Sequence, residues 1–263
     1  MQPLFDLVQY GLQGRAKNDS DHITSSEFRK MLHEAVHAIS LAHLGPSHPA
    51  HHTIPAHLTA LVSSSWPNLT KLNLSNLGLD AGSIAKLTMG KWPLLRKLDL
   101  SHNDLDSTAI KHLSGASLQQ LQSLDVSWNW IDDTAVLHLI GANWPRLQQL
   151  NLRFNVLRTQ GLQGLTLSDW PLMKQLNVRS NLINKSGTMQ LALGNWPMLE
   201  ELDVSSNPGL DVLALVQGQW PQLQKLTIDS RVLDRDFIAM LMDRWSRLHI
   251  SPAYTRSTDT HPT

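Results

Sequence analysis

Tryptophan followed by proline recurs at Trp66, Trp92, Trp144, Trp170, Trp196 and Trp220, with most neighbouring pairs 26 residues apart. A chain that repeats at this length folds by stacking one small unit on the next, because a single unit cannot bury its apolar side alone. The gap from Trp92 to Trp144 is twice the spacing of its neighbours, and the missing copy starts at Leu118. There Leu118-Gln119 replaces Trp-Pro, while Leu121, Leu124, Val126 and Asn129 keep the downstream pattern. A last, partial copy begins at Trp245.

In this register each unit reads Trp-Pro-x-Leu-x-x-Leu-x-Leu-x-x-Asn-x-Leu, as in WPLLRKLDLSHNDL (Trp92 to Leu105) and WPRLQQLNLRFNVL (Trp144 to Leu157). The pattern resembles the leucine-rich repeat family over residues 56 to 250, in seven in-register copies. Repeat length and a helix-like second half, as in DSTAIKHLSGA (Asp106 to Ala116), are most similar to the ribonuclease-inhibitor and cysteine-containing subfamilies. The Asn position departs from the pattern at Leu77 in the first copy and Arg231 in the last.

The residues support the same architecture on their own. Leu98-Asp99-Leu100 alternates like a short strand with one buried face, and Leu95, Leu98, Leu100 and Leu105 point inward. The period then lengthens: Ile84 and Leu87, Ile110 and Leu113, Val136 and Leu139, and Leu162 and Leu165 each form one inward stripe of a short helix. Proline after tryptophan ends that helix and sets an extended entry to the next strand, with the tryptophan buried between coils. Asn103, Asn129, Asn155, Asn181 and Asn207 are expected to stack as a structural ladder, their amides serving backbone groups that the bend after each strand leaves unpaired. The expected fold is therefore α/β: a horseshoe solenoid of about seven repeats, with a concave parallel sheet, short convex helices and a helical N-terminal cap.

Composition narrows the function. Lys plus Arg and Asp plus Glu both number 22, and such a balance gives no electrostatic footprint for a phosphate backbone, so nucleic acid is not an expected partner. No apolar run approaches the roughly 18 residues of a spanning helix, and Met1 to Leu12 lacks the pattern of a signal peptide. No membrane partner is expected. Without cysteine there is no disulfide framework and no thiol nucleophile, which points to a cytoplasmic home, with delivery into a host cell as a compatible variant.

The flanks read differently. Residues 1 to 55 form an N-terminal arm and cap: Thr24-Ser25-Ser26-Glu27 has capping-box spacing, and Phe28, Leu32, Ala35, Ile39 and Ala42 follow a helical stripe until Gly45-Pro46. Ser47 to Ile54 reads as a loop, and residues 251 to 263 as a flexible tail. The cap contains His33-Glu34-Ala35-Val36-His37, whose two histidines would share a helix face and hold zinc while Glu34 polarises water, with His43 as third ligand. Metzincins, which this segment resembles, carry glycine where this chain has Ser40. Fewer than 60 residues precede the first repeat, too few for a peptidase domain, and eight of the 13 histidines crowd residues 22 to 57, which favours a chance match. No metal, cofactor or catalytic residue is expected, and a zinc-dependent hydrolase stands as the alternative.

Outward-facing columns locate the binding candidates. The middle column is Asn73, Asp99, Asp125, Asn151, Asn177, Asp203 and Thr227; the next is Ser75, Ser101, Ser127, Arg153, Arg179, Ser205 and Asp229; the third is Asn76, His102, Trp128, Phe154, Ser180, Ser206 and Ser230. Trp128 and Trp130 start no repeat, so coil packing does not require them. With Phe154, Arg153 and Arg179 they have the composition of an interface hot spot. Two placements are open for Trp130, Val156 and Leu182: exposed in that group, or folded under the loop over the ladder. Asp99 and Asp125 either pair with the arginines or read a basic segment of a partner. The expected function is recognition of another protein on the concave face by a monomer that is not an enzyme, with a self-assembling scaffold as a further alternative.

Overall fold

A computed structural model describes residues 36–47 and 54–253. Nine short strands form one parallel sheet in sequence order: β1 (Ala38–Ser40), β2 (Lys71–Asn73), β3 (Lys97–Asp99), β4 (Ser123–Asp125), β5 (Gln149–Asn151), β6 (Gln175–Asn177), β7 (Glu201–Asp203), β8 (Lys225–Asp229) and β9 (His249–Ala253). The register repeats without slippage, with Leu72 opposite Leu98, then Leu124, Leu150, Leu176, Leu202, Leu226 and Ile250. From β2 to β8 that central leucine is buried while its neighbours on the strand face the concave side.

A helix follows each strand from β1 to β8: α1 (Ile54–Ser63), α2 (Ala81–Leu87), α3 (Ser107–Ser114), α4 (Asp133–Ile140), α5 (Thr159–Thr166), α6 (Lys185–Ala192), α7 (Val212–Leu215) and α8 (Arg235–Arg244). Aspartates or asparagine start most of them; Asp80, Asp106, Asp132, Asn184 and Asp234 each accept a backbone N–H one turn on, which supplies donors that a helix N-terminus otherwise leaves unpaired. In α5 the cap residue is Arg158, and Asp133 of the previous coil accepts its N–H at 2.7 Å. The stripes expected from sequence are all buried: Ile84 and Leu87, Ile110 and Leu113, Val136 and Leu139, Leu162 and Leu165. So are Trp66, Trp92, Trp144, Trp170, Trp196, Trp220 and Trp245, with Leu118 in the substituted copy.

The amide ladder joins the coils. Asn103 Nδ2 donates to Leu74 O and Leu100 O while its Oδ1 accepts from the N–H groups of Leu77 and Leu79. Asn129, Asn155, Asn181 and Asn207 make the same bridge one coil further each time.

Both ends differ from the sequence expectation. The helical stripe through Ile39 and Ala42 gives way to strand β1 and a 3-10 turn at Ala42–Leu44. Sheet pairing overrides local periodicity there: β2 would otherwise expose its backbone edge, and instead Thr70 N–H and Lys71 N–H donate to His37 O while Leu41 N–H donates to Asn73 O. Leu41 and Leu44 complete the core beneath it. Ile54, expected as the last residue of a loop, is the first of α1, residues 48–53 of that loop lie outside the described residues, and residues 251–253 of the expected tail belong to β9. His33 and Glu34, and the side chain of His43, lie outside the described residues; His37 precedes a strand rather than sitting on a helix. Among the described residues no group of three His, Asp or Glu is placed to hold a metal ion, and no helix is long and apolar enough to cross a membrane.

Candidate functional site

The bend that ends each strand is built the same way in successive coils. The outward residue at the strand's last position folds back on its own chain: Asp99 Oδ1 accepts from Ser101 N–H at 3.0 Å and from its hydroxyl at 2.7 Å. Asp125 does the same with Ser127 and Asp203 with Ser205, while Asn151 and Asn177 accept the N–H of Arg153 and Arg179. The following residue then turns left-handed: Asn76, His102, Trp128, Phe154, Ser180 and Ser206 have φ between 51° and 59°. That region suits asparagine and costs an ordinary L-residue about 1–2 kcal/mol, so tryptophan and phenylalanine are exceptional occupants.

This turn lifts the side chains of that column onto one rim of the solenoid and stacks them coil over coil. The Trp128 indole lies between the His102 ring, at 5.0 Å and 15°, and the Phe154 ring, at 3.7 Å and 14°. Arg153 covers the stack, its guanidinium carbon 5.0 Å from the Phe154 centroid. Aromatic contacts of this geometry contribute about 0.5–1.5 kcal/mol beyond area burial, which offsets much of the backbone strain.

Of the residues singled out from sequence, Trp128, Arg153 and Arg179 come together here, all half-buried. Phe154 was expected as an exposed anchor and is instead 3 % exposed, because Trp128 stacks on it. Trp130 lies in the loop beyond the rim and is 47 % exposed, whereas Val156 and Leu182 are half-buried. Asp99 and Asp125 do not pair with the arginines: each spends Oδ1 on its own serine turn, and Asp125 Oδ2 accepts from Asn151 Nδ2 at 2.8 Å. Asp203, not singled out, is the acid whose charge the arginines feel; burial pushes its carboxyl above the ordinary range, against the opposing pull of its Ser205 hydrogen bonds and of Arg179 and Arg153. His102 was also missed. The signal available was Asn76 at the head of its column, a residue that tolerates the left-handed region.

Beside the rim the concave face holds a polar hollow and, towards β1, a more apolar one that Ala38, Ile39, Leu72 and Leu98 also line. One, of about 300 Å³, is floored by Asp125, Gln149, Asn151, Gln175, Asn177 and Asp203; the other, of about 460 Å³, lies over Ser40, Lys71, Asn73, Lys97 and Asp99. Their amides and hydroxyls can donate and accept hydrogen bonds across a broad surface. At the far end of the first, Lys225 pairs with Glu201 at 3.4 Å.

A family model described as Leucine Rich repeat matches residues 93–114 and 117–139. No curated protein matches the chain by sequence. Among solved structures, an internalin from Listeria monocytogenes is similar at 20% identity and a TM-score of 0.49, over 76% of this chain and 58% of that one. The TLR13 of a TLR13-ssRNA13 complex is similar at 15% identity and a TM-score of 0.48, over 88% of this chain and 30% of its own. The chain thus spans less than two thirds of either protein. The family match falls on the two coils that carry His102 and Trp128, the amides of Asn103 and Asn129 tie those coils to their neighbours by the same bridge, and the chain has the fold of a leucine-rich repeat solenoid.

Proposed function

We propose that this chain is a non-enzymatic recognition module that binds another protein across the rim and concave face of the β4, β5 and β6 coils. The observation that carries this reading is the stacked His102, Trp128 and Phe154 column with Arg153 over it, in left-handed backbone where the other coils place asparagine or serine. Strain of this kind persists where surrounding structure enforces it, and it concentrates at ligand-contacting sites. Neither Trp128 nor Trp130 belongs to the buried core that the repeat-starting tryptophans fill: Trp130 is exposed, and the Trp128 ring meets the adjacent coils in the rim stack. Half-exposed tryptophan beside arginine is the composition that dominates binding energy at protein interfaces. The polar hollow next to it, over Asp125, Asn151 and Asn177, supplies a hydrogen-bonding surface beside that centre.

Affinity capture from a lysate of the source cells tests this. Wild type is expected to retain a protein that the Trp128→Ala, Arg153→Ala double variant, checked for native circular dichroism, does not. Equal retention by both would remove the rim from the interface.

A further inference from the structure

We infer that the rim takes an acidic segment of a polypeptide partner, with a carboxylate seated between Arg153 and Arg179. This rests on the protein-recognition reading above and adds the chemistry of the partner. Arg153 and Arg179 occupy the same position of adjacent coils, in the register that sets Asn151 opposite Asn177, so their backbones stand one parallel-strand spacing apart, about 4.8 Å. Each stem is fixed at its root, since the preceding asparagine accepts the arginine N–H. Arginines rooted on adjacent coils can bring two planar, multidentate donor forks to one carboxylate.

The hydrogen-bonding inventory of the same ridge points to an acceptor-rich ligand. Trp128 Nε1, Arg153 Nε and the hydroxyls of Ser180 and Ser206 are shielded from solvent and lack a hydrogen-bond partner. Indole and guanidinium groups only donate, and both hydroxyls can. Both faces of the Trp128 ring are covered by its neighbours, His102 and Phe154.

The surrounding charges favour a peptide over a polyphosphate. Asp99, Asp125 and Asp203 stand in the neighbouring column, and Asp229 lies buried past Ser206, whose N–H it accepts. A strand of RNA, with a charge on every nucleotide, would meet these carboxylates wherever it followed the groove. A polypeptide can place an acid on the arginine pair and neutral groups elsewhere.

The test is fluorescence anisotropy of the full chain with three probes: a labelled peptide with one glutamate among serine, glycine and tyrosine, the same peptide with lysine in place of the glutamate, and oligouridylate. Wild type is expected to bind the first most tightly, with affinity falling as salt rises. Arg153→Gln with Arg179→Gln should weaken it at least tenfold, whereas Arg146→Gln, an exposed arginine outside the rim, should leave it unchanged. Charge reversal by Arg153→Glu with Arg179→Glu should move the preference to the lysine peptide. Binding of the glutamate peptide that survives the paired Gln variant, or a wild-type preference for either other probe, would overturn the inference. If the capture experiment finds a partner that depends on Trp128 while the Arg pair proves indifferent, recognition at the rim stands and its acidic chemistry falls.

Discussion

Trp196→Ala is expected to destabilise the fold by about 3–5 kcal/mol, the range for emptying a large aromatic site in a packed core. The ring is almost fully buried where the β6 and β7 coils meet, and its Nε1 has no hydrogen-bond partner, so the loss is packing alone. The surroundings cannot collapse easily into the space. Gly194 already lacks a side chain because a Cβ there would run into the Trp196 ring. Since each coil touches only its neighbours, a weakened junction also divides the solenoid into halves that unfold less cooperatively. Urea unfolding should therefore show a lower midpoint and a broader or two-step transition. Trp130→Ala, at a half-exposed site off the core, is the control and should shift the midpoint little. Equal shifts for the two variants would mean that the repeat tryptophans are not what holds the coils together.

Asn155→Ala is expected to cost about 1–3 kcal/mol, because it strands buried groups rather than removing volume. The side chain is fully buried; its Oδ1 accepts from Ile131 N–H at 2.9 Å, and its Nδ2 donates to Val126 O at 3.0 Å and Leu152 O at 3.1 Å. Alanine leaves all three without that partner in a place water does not reach. Thermal unfolding of the variant beside wild type reads the loss directly, and an unchanged midpoint would show that the bridge between coils is energetically idle. The ends of the solenoid explain how single copies do without the amide. Where Leu77 replaces it, the preceding coil closes in a 3-10 turn, with Leu44 N–H donating to Leu41 O; where Arg231 replaces it, another 3-10 turn spans Ser230–Val232.

The repeat made the strands, helices and ladder legible because each inward position recurs with one chemistry: leucine on the strand, asparagine at the bend, tryptophan between coils. Legibility failed where a residue's environment comes from another coil. Ile39 continues a helical stripe in its own segment, but the open edge of β2 takes it as a strand. Phe154 reads as exposed in its column until the left-handed turn brings Trp128 over it. Asp99 and Asp125 look like free charges beside arginines, yet the serine two residues on captures each of them, a local competition that the spacing Asp-x-Ser contains but does not weigh against a distant ion pair. Trp128 stands out in one column and Arg153 and Arg179 in the one beside it, because most copies are small and polar there, which is what makes them candidates from sequence.

A competing surface lies on the opposite side, where Leu137, Leu167 and Leu193 are well exposed around the helices. Hydrogen exchange of the wild-type chain, alone and with its captured partner, separates the two faces. The account predicts slowed exchange at residues 127–130, 153–156 and 179–182, with α4, α5 and α6 unchanged. Protection confined to those helices and the turns after them, with the rim exchanging as in the free chain, would contradict it.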